Sequence, residues 1–285
     1  MISLSVIILA KTNSDLVFET TMNCINSLIQ SENFNDNLEI IIVESNKEYL
    51  LKYKYPDKTK LILPDEEFGF HKFLNIGVKA SKGKYVALCN NDLIFEKKWF
   101  SEIINVAKKN KEILSFSPID PRFELDKYHF FKEGYKVTQH IKGWCLVCDK
   151  RLFTKYKKLD ENFKFYYSDN DYALSLLYYN IKHVVVAKSH VKHLHRINST
   201  EAENRKDDFF NEKVIKRKLP KQLYSDDLKW ILSNERVLFD YLTYYNKWGN
   251  TDSVYRIAKY AQKLNRIKLN VLVKILFQIK RKFKL

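Results

Sequence analysis

The stretch Tyr85-Val86-Ala87-Leu88-Cys89-Asn90-Asn91-Asp92 constrains this chain more than any other. An apolar run from Tyr85 to Cys89 passes without a break into three polar residues ending in a carboxylate. A short continuous apolar run bounded by turn signals suits a strand buried on both faces. Such a strand carries its last residues to the carboxyl edge of the sheet, where open α/β folds bind their ligands. Asp92 is therefore expected at a site rather than in a core.

The segments before it extend the pattern. Ile2 to Leu9 is a second, mainly apolar run, without a basic leader or a cleavage site, and reads as the first core strand. A helical stripe follows over about Asp15 to Gln30 through Leu16, Val17, Thr20, Cys24 and Leu28. Strands are expected at Leu38 to Val43 and Lys60 to Leu63, and a helix from about Phe70 to Ala80. Strands alternating with helices call for a parallel sheet with right-handed crossovers. Beyond Asp92 the pattern predicts a helix around Lys98 to Lys109 and strands at Ile113 to Ser117, Gly143 to Cys148 and Val184 to Ala187. Residues 118 to 141 read as an irregular loop. Cys145 and Cys148 have the spacing of half a zinc site, but no second Cys pair completes it, so they read as small apolar residues of a strand. Free cysteines in apolar segments suit a reducing, cytosolic setting.

The order Phe68-Gly69-Phe70, Leu74-Asn75-Ile76-Gly77-Val78, Ala80-Ser81-Lys82-Gly83-Lys84 and then the strand into Asp92 resembles the nucleotide-sugar half of the GT-A glycosyltransferases, family 2 in particular. The resemblance covers about residues 1 to 205 and implies an α/β GT-A domain: a Rossmann-like, mostly parallel sheet flanked by helices. It further implies inverting transfer from a nucleotide-sugar donor, with UDP the expected nucleotide, and a Mn2+ or Mg2+ ion at the diphosphate. Asp92 then corresponds to the metal ligand of an Asp-x-Asp-like motif whose first position is here Asn90, with Asn91 between them. Tyr166-Tyr167-Ser168-Asp169-Asn170-Asp171 resembles the family's acidic motif at a helix start, with Ser168 in place of a common Glu. Asp169 aligns with the general base that takes the acceptor proton, and Asp171 is the second catalytic candidate; an Asp in a first turn is also ordinary dipole complementarity. A histidine often follows the last core strand near the metal, which makes His193 and His195 metal candidates, with His190 beside them. The resemblance also assigns Thr12, Glu44, Phe70, Lys72 and Asn75 to the nucleoside side and Ser199 to the phosphates.

A net charge of +16 calls for an anionic partner. Nucleic acid is disfavoured, because the 18 Tyr and 19 Phe are spread through core-like segments and no RNA-binding signature is present. Residues 206–285 read as a separate, basic, helical C-terminal region, with helices at about Asp226 to Tyr245 and Ser253 to Phe283 and no acid after Asp252. Leu269, Leu272, Val273, Leu276, Ile279 and Phe283 fall at helical spacing among Lys and Arg, a stripe that suits either packing on the domain or an anionic membrane surface. No segment reaches the roughly 20 apolar residues of a span. The expectation is a peripheral protein at the inner membrane face that extends a glycan or lipid-linked acceptor in bacterial surface polysaccharide synthesis. Asn90 and Ser168 leave open an inactive GT-A-like binding module.

Overall fold

The computed structural model describes residues 3–48, 52–124, 130–194 and 235–248. Strand β1, Leu4–Ala10, is buried at every position. It pairs in parallel with β2, Leu38–Glu44, on one side and with β4, Tyr85–Asn90, on the other. Strand β3, Thr59–Ile62, adds in parallel to β2. Beyond β4 the sheet turns mixed. Strand β8, Cys145–Asp149, is antiparallel to β4 and to β6, Ile113–Ile119, while β6 is parallel to β9, Lys182–His193. The three-residue strands β5, Leu93–Phe95, and β7, Phe131–Glu133, both lie antiparallel to β9. Among the described residues the sheet order is β3-β2-β1-β4-β8-β6-β9-β5, with β7 on β9.

Helices cover both faces, which is why the central strands are largely apolar and buried. Helix α1, Asp15–Ser31, starts at Ser14, whose hydroxyl accepts the Val17 N–H, and turns Cys24, Ile25 and Leu28 onto the face of Leu4, Val6 and Ile8. Helix α3, Trp99–Lys109, joins that face through Trp99, Ile103 and Val106. On the opposite face α2, Phe70–Ala80, and α6, Ser168–Tyr178, bring Phe73, Leu74, Tyr172 and Leu176 against Ile7, Leu88 and Leu146. Cys145 and Cys148 fall in opposite layers, so one metal ion cannot bridge them. Two short helices, α4 at Pro121–Glu124 and α5 at Leu152–Tyr156, complete this part, and α7, Glu235–Trp248, comes from beyond residue 205.

Several expected boundaries shift. The segment 118–141 is not one irregular loop: β6 runs to Ile119, α4 follows, and β7 pairs with β9. The last strand continues past Ala187 to His193, because β5 gives its polar end a hydrogen-bonding partner. His190 and His193 are thus strand residues rather than loop residues. His195, Ser199 and the helix expected over Ser253 to Phe283 lie outside the described residues.

Gly77 is where α2 meets β1 most closely, since a Cβ added there would fall 2.3 Å from Ile7 Cγ2. We expect Gly77→Ala to lower stability by about 1–3 kcal/mol through overpacking. Urea denaturation of the full-length variant measures it, with an unchanged midpoint as the contrary result.

Candidate functional site

The parallel register sets Leu9 opposite Asn90 and Ala10 opposite Glu44, so the segments following β1, β2 and β4 open onto one carboxyl edge. At the β1–β2 end Glu44 is fully buried and accepts from four donors. Its Oε1 takes the N–H groups of Thr12 at 3.0 Å and Asn46 at 2.8 Å. Its Oε2 takes the hydroxyls of Thr12 at 2.7 Å and Tyr55 at 3.1 Å. Asn46 Nδ2 returns a bond to Thr12 O at 2.7 Å. Thr12 and Glu44 thus hold each other, and Tyr55, which no sequence pattern singles out, completes their network. Burial and the neighbouring Glu44 charge push the Tyr55 phenol well above its usual range.

At the end of β4 the polar triplet divides its roles. Asn91 is buried and donates to Thr21 Oγ1 on α1 at 2.9 Å, tying the turn to the helix. Asp92 is buried too, and its main-chain oxygen accepts the Leu194 N–H at 2.9 Å. Its Oδ1 makes no hydrogen bond among the described residues and lies 3.3 Å from His193 Nε2. Asn90 Nδ2 approaches the same Nε2 at 3.4 Å. The β5–β9 pairing, with Leu93 opposite His193, brings this about. Strand alternation sends His190 to the other face, where it and Lys192 meet Glu96.

His193 is held from two further sides. Trp144 stacks on its ring at 5.3 Å between centroids. Asp120 Oδ2 accepts its N–H at 3.1 Å, and Arg122, bonded to Asp120 at 2.6 Å, donates to its carbonyl at 2.7 Å. Burial works to raise the Asp120 carboxyl, but the bonds from Arg122 and the His193 amide outweigh it and hold it below the ordinary range.

The second constellation lies at the start of α6. Asp169 borders a small cleft lined also by Phe70, His71, Gly143 and Ser168. Its Oδ1 accepts the N–H of Asn170 at 2.9 Å, and no ion pair to it is present among the described residues. Burial pushes its carboxyl up to about 6. A Cβ on Gly143 would stand 3.0 Å from Asp169 Cβ and 3.2 Å from its Oδ2. Gly143 touches Asp169 and the next residue, Trp144, stacks on His193, so one dipeptide joins the two constellations.

Asp171 differs from Asp169. It is fully buried, and its Oδ1 meets Lys247 Nζ at 2.7 Å and Trp248 Nε1 at 2.8 Å, both on α7. Residues of α2 face the loop before α6. Asn75 Nδ2 donates to Leu159 O at 2.9 Å and its Oδ1 accepts the Leu159 N–H at 3.0 Å. The Phe70 N–H donates to Lys164 O at 2.7 Å, and Lys72 pairs with Glu66. His71, whose pKa burial lowers, has Nδ1 3.0 Å from Asp160 O. A neutral ring in that position carries its proton on Nδ1.

No group of three or more His, Cys, Asp or Glu suited to a metal occurs among the described residues. A magnesium- or manganese-type ion, however, usually takes one or two protein ligands and fills the remainder with phosphates and water. A buried carboxylate oxygen without a hydrogen bond, beside an imidazole nitrogen, fits that need.

The model of the glycosyl transferase family 2 matches residues 5–172, more than half of the chain. The chain belongs to that family, and is a glycosyltransferase acting between a nucleotide-sugar donor and an acceptor. No curated protein matches it. No helix among the described residues is long and apolar enough to cross a membrane.

We expect Glu44→Gln to cost about 1–3 kcal/mol, because an amide replaces one of the two oxygens toward which four donors point. Chemical denaturation reads this directly. A loss of nucleotide binding with stability unchanged would instead mark Glu44 as a ligand contact.

Proposed function

We propose that this family 2 glycosyltransferase inverts the anomeric centre as it moves a sugar from a nucleoside diphosphate, UDP first, to a hydroxyl of a glycan or lipid-linked acceptor. The observation that carries this reading is the pairing of the unbonded Asp92 Oδ1 beside His193 with Asp169, through Gly143–Trp144. Asp92 and His193 would hold a Mn2+ or Mg2+ ion, and such an ion supplies charge neutralisation for the departing diphosphate. Asp169 accepts the acceptor proton as the acceptor oxygen bonds to the anomeric carbon. The bond from that carbon to the phosphate oxygen breaks on the opposite face, and the pair of electrons leaves with the diphosphate. Trp144 and the Asp120–Arg122 pair keep His193 in place. A basic C-terminal region suits an acceptor at an anionic membrane surface in surface polysaccharide synthesis.

A thermal-shift panel of UDP-, GDP- and dTDP-sugars with and without Mn2+ tests donor and ion together, since a ligand selective for the native state raises its stability. We expect Asp92→Ala to abolish the Mn2+-dependent part of the shift while the protein stays folded. An undiminished shift removes the metal assignment.

The base assignment has its own test. The carboxylate is the active form of Asp169, and burial sets its pKa at about 6. Transfer should therefore fall roughly tenfold per pH unit below about pH 6 and level off above it. Asp169→Asn should lose roughly 100-fold or more in kcat and lose this acid limb, with donor affinity retained. A variant that keeps both rate and limb rules Asp169 out.

A further inference from the structure

Helix α7 lies well beyond the residues that the family model matches, yet it makes a series of polar contacts to the loop that leads to Asp169. Asp240 is fully buried, and its carboxylate accepts three successive main-chain N–H groups: Lys164 at 2.8 Å, Phe165 at 2.9 Å and Tyr166 at 2.8 Å. Tyr167 follows with φ at 58°, in the left-handed region that costs an L residue energy. Its ring stacks on Tyr244 at 5.3 Å and meets Tyr241 edge-on at 5.8 Å, so α7 holds that residue as well. Lys247 Nζ reaches Asp160 Oδ2 and Asp171 Oδ1, each at 2.7 Å, and so pins both ends of the segment. Trp248 adds its indole N–H to Asp171 at 2.8 Å.

We propose that α7 is a strap for the catalytic base: Asp240, Lys247 and Trp248 are positioning residues that fix residues 160–171 and thereby aim Asp169 at the cleft. This rests on the reading of Asp169 as the base. On its other side the same segment is held by α2 through Asn75, His71 and the Phe70 amide, so the loop that leads into α6 and Asp169 is gripped between two helices. Among the described residues the Asp169 side chain makes no ion pair, and its hydrogen bond is to the Asn170 amide rather than to α2 or α7. It packs on Gly143, with a clearance that a single methyl group would fill, so a small displacement of the loop changes its aim.

The chemistry argues against mere adhesion. Taking carboxylates out of water is costly, and apolar residues of similar size hold helices together as well or better. Asp240 illustrates the cost: burial pushes its carboxyl up to about 6 in spite of the three amides it accepts. What a carboxylate gives that a leucine does not is direction, because three amides converging on two oxygens define one loop geometry.

The test uses the full-length protein and two main variants, with Lys247→Arg and Asp169→Asn as controls. Lys247→Met removes the bridge between Asp160 and Asp171, and Trp248→Phe deletes one N–H while keeping an aromatic ring. Three quantities are read. The first is the Mn2+-dependent thermal shift with the UDP-, GDP- or dTDP-sugar that stabilises the wild type most. The second is amide exchange of residues 160–171 against β1 and β4. The third is release of free nucleoside diphosphate, split into kcat and donor KM. We expect exchange at 160–171 to speed at least tenfold in Lys247→Met with β1 and β4 unchanged, the donor shift and donor KM to stay at wild type, and kcat to fall at least tenfold. Trp248→Phe should move the same way by a smaller factor, and Lys247→Arg should restore most of kcat. Faster loop exchange with kcat within twofold of wild type overturns the strap, as does a loosening of β1 and β4 to the same degree. If Lys247→Met does not fold, the Trp248→Phe result decides alone. Asp169→Asn, assayed alongside, separates the two readings. Full activity there overturns the base assignment, whereas its loss together with wild-type kcat in both α7 variants overturns the strap only.

Discussion

The parallel pairing of β1 between β2 and β4 is the constraint from which the site follows. Leu9 opposite Asn90 and Ala10 opposite Glu44 fix in register the ends of strands that are far apart in sequence. A slip of one residue along β1 would exchange its two faces and set Val6 and Ile8 against the helices that now cover Ile7 and Leu9. Both faces are packed, so such a slip is penalised on each, and the carboxyl edge inherits that rigidity. Asp92 thus needs no local device of its own to be held, beyond Asn91 bonded to Thr21 and the Leu194 amide on its carbonyl.

Two carboxylates of one helical turn, Asp169 and Asp171, take opposite environments. Asp171 is fully buried and has a cation and an indole N–H on one oxygen, which ties it to α7. Asp169 has no cation beside it among the described residues and a raised pKa, which suits a group that must gain and lose a proton. The helix start favours negative charge on both, so the difference arises from burial and from α7.

What the sequence disclosed divides along the same physical line. Central strands covered on both faces leave a predominantly apolar run, so β1, β2 and β4 were legible within a residue or two. Three-residue strands carry no period: β5 and β7 were invisible, and with them the reason β9 continues through Lys188, Ser189, His190 and Lys192. That continuation separates the histidines, because only a strand sends His193 and His190 to opposite faces. Glu44 was legible as a polar strand end. Its inward turn toward Thr12 and Tyr55 was not, since Tyr55 lies in a loop with no pattern to mark it.

Asp240 shows the limit most clearly. Its partners are main-chain amides of residues 164 to 166, and a bond to an amide leaves no trace in the side chains that carry it. A salt bridge such as Lys247 with Asp160 and Asp171 needs residues of opposite sign, but a chain with 50 Lys and Arg and 34 Asp and Glu offers many such pairs at every separation. Helical periodicity in α7 announces a buried face without saying what lies beneath it. A motif reports chemistry that recurs at fixed spacing, and the grip of α7 on the loop before α6 crosses more than 70 residues of sequence. Residues that fall in a motif are therefore more legible than the distant ones that hold the motif's loop in place.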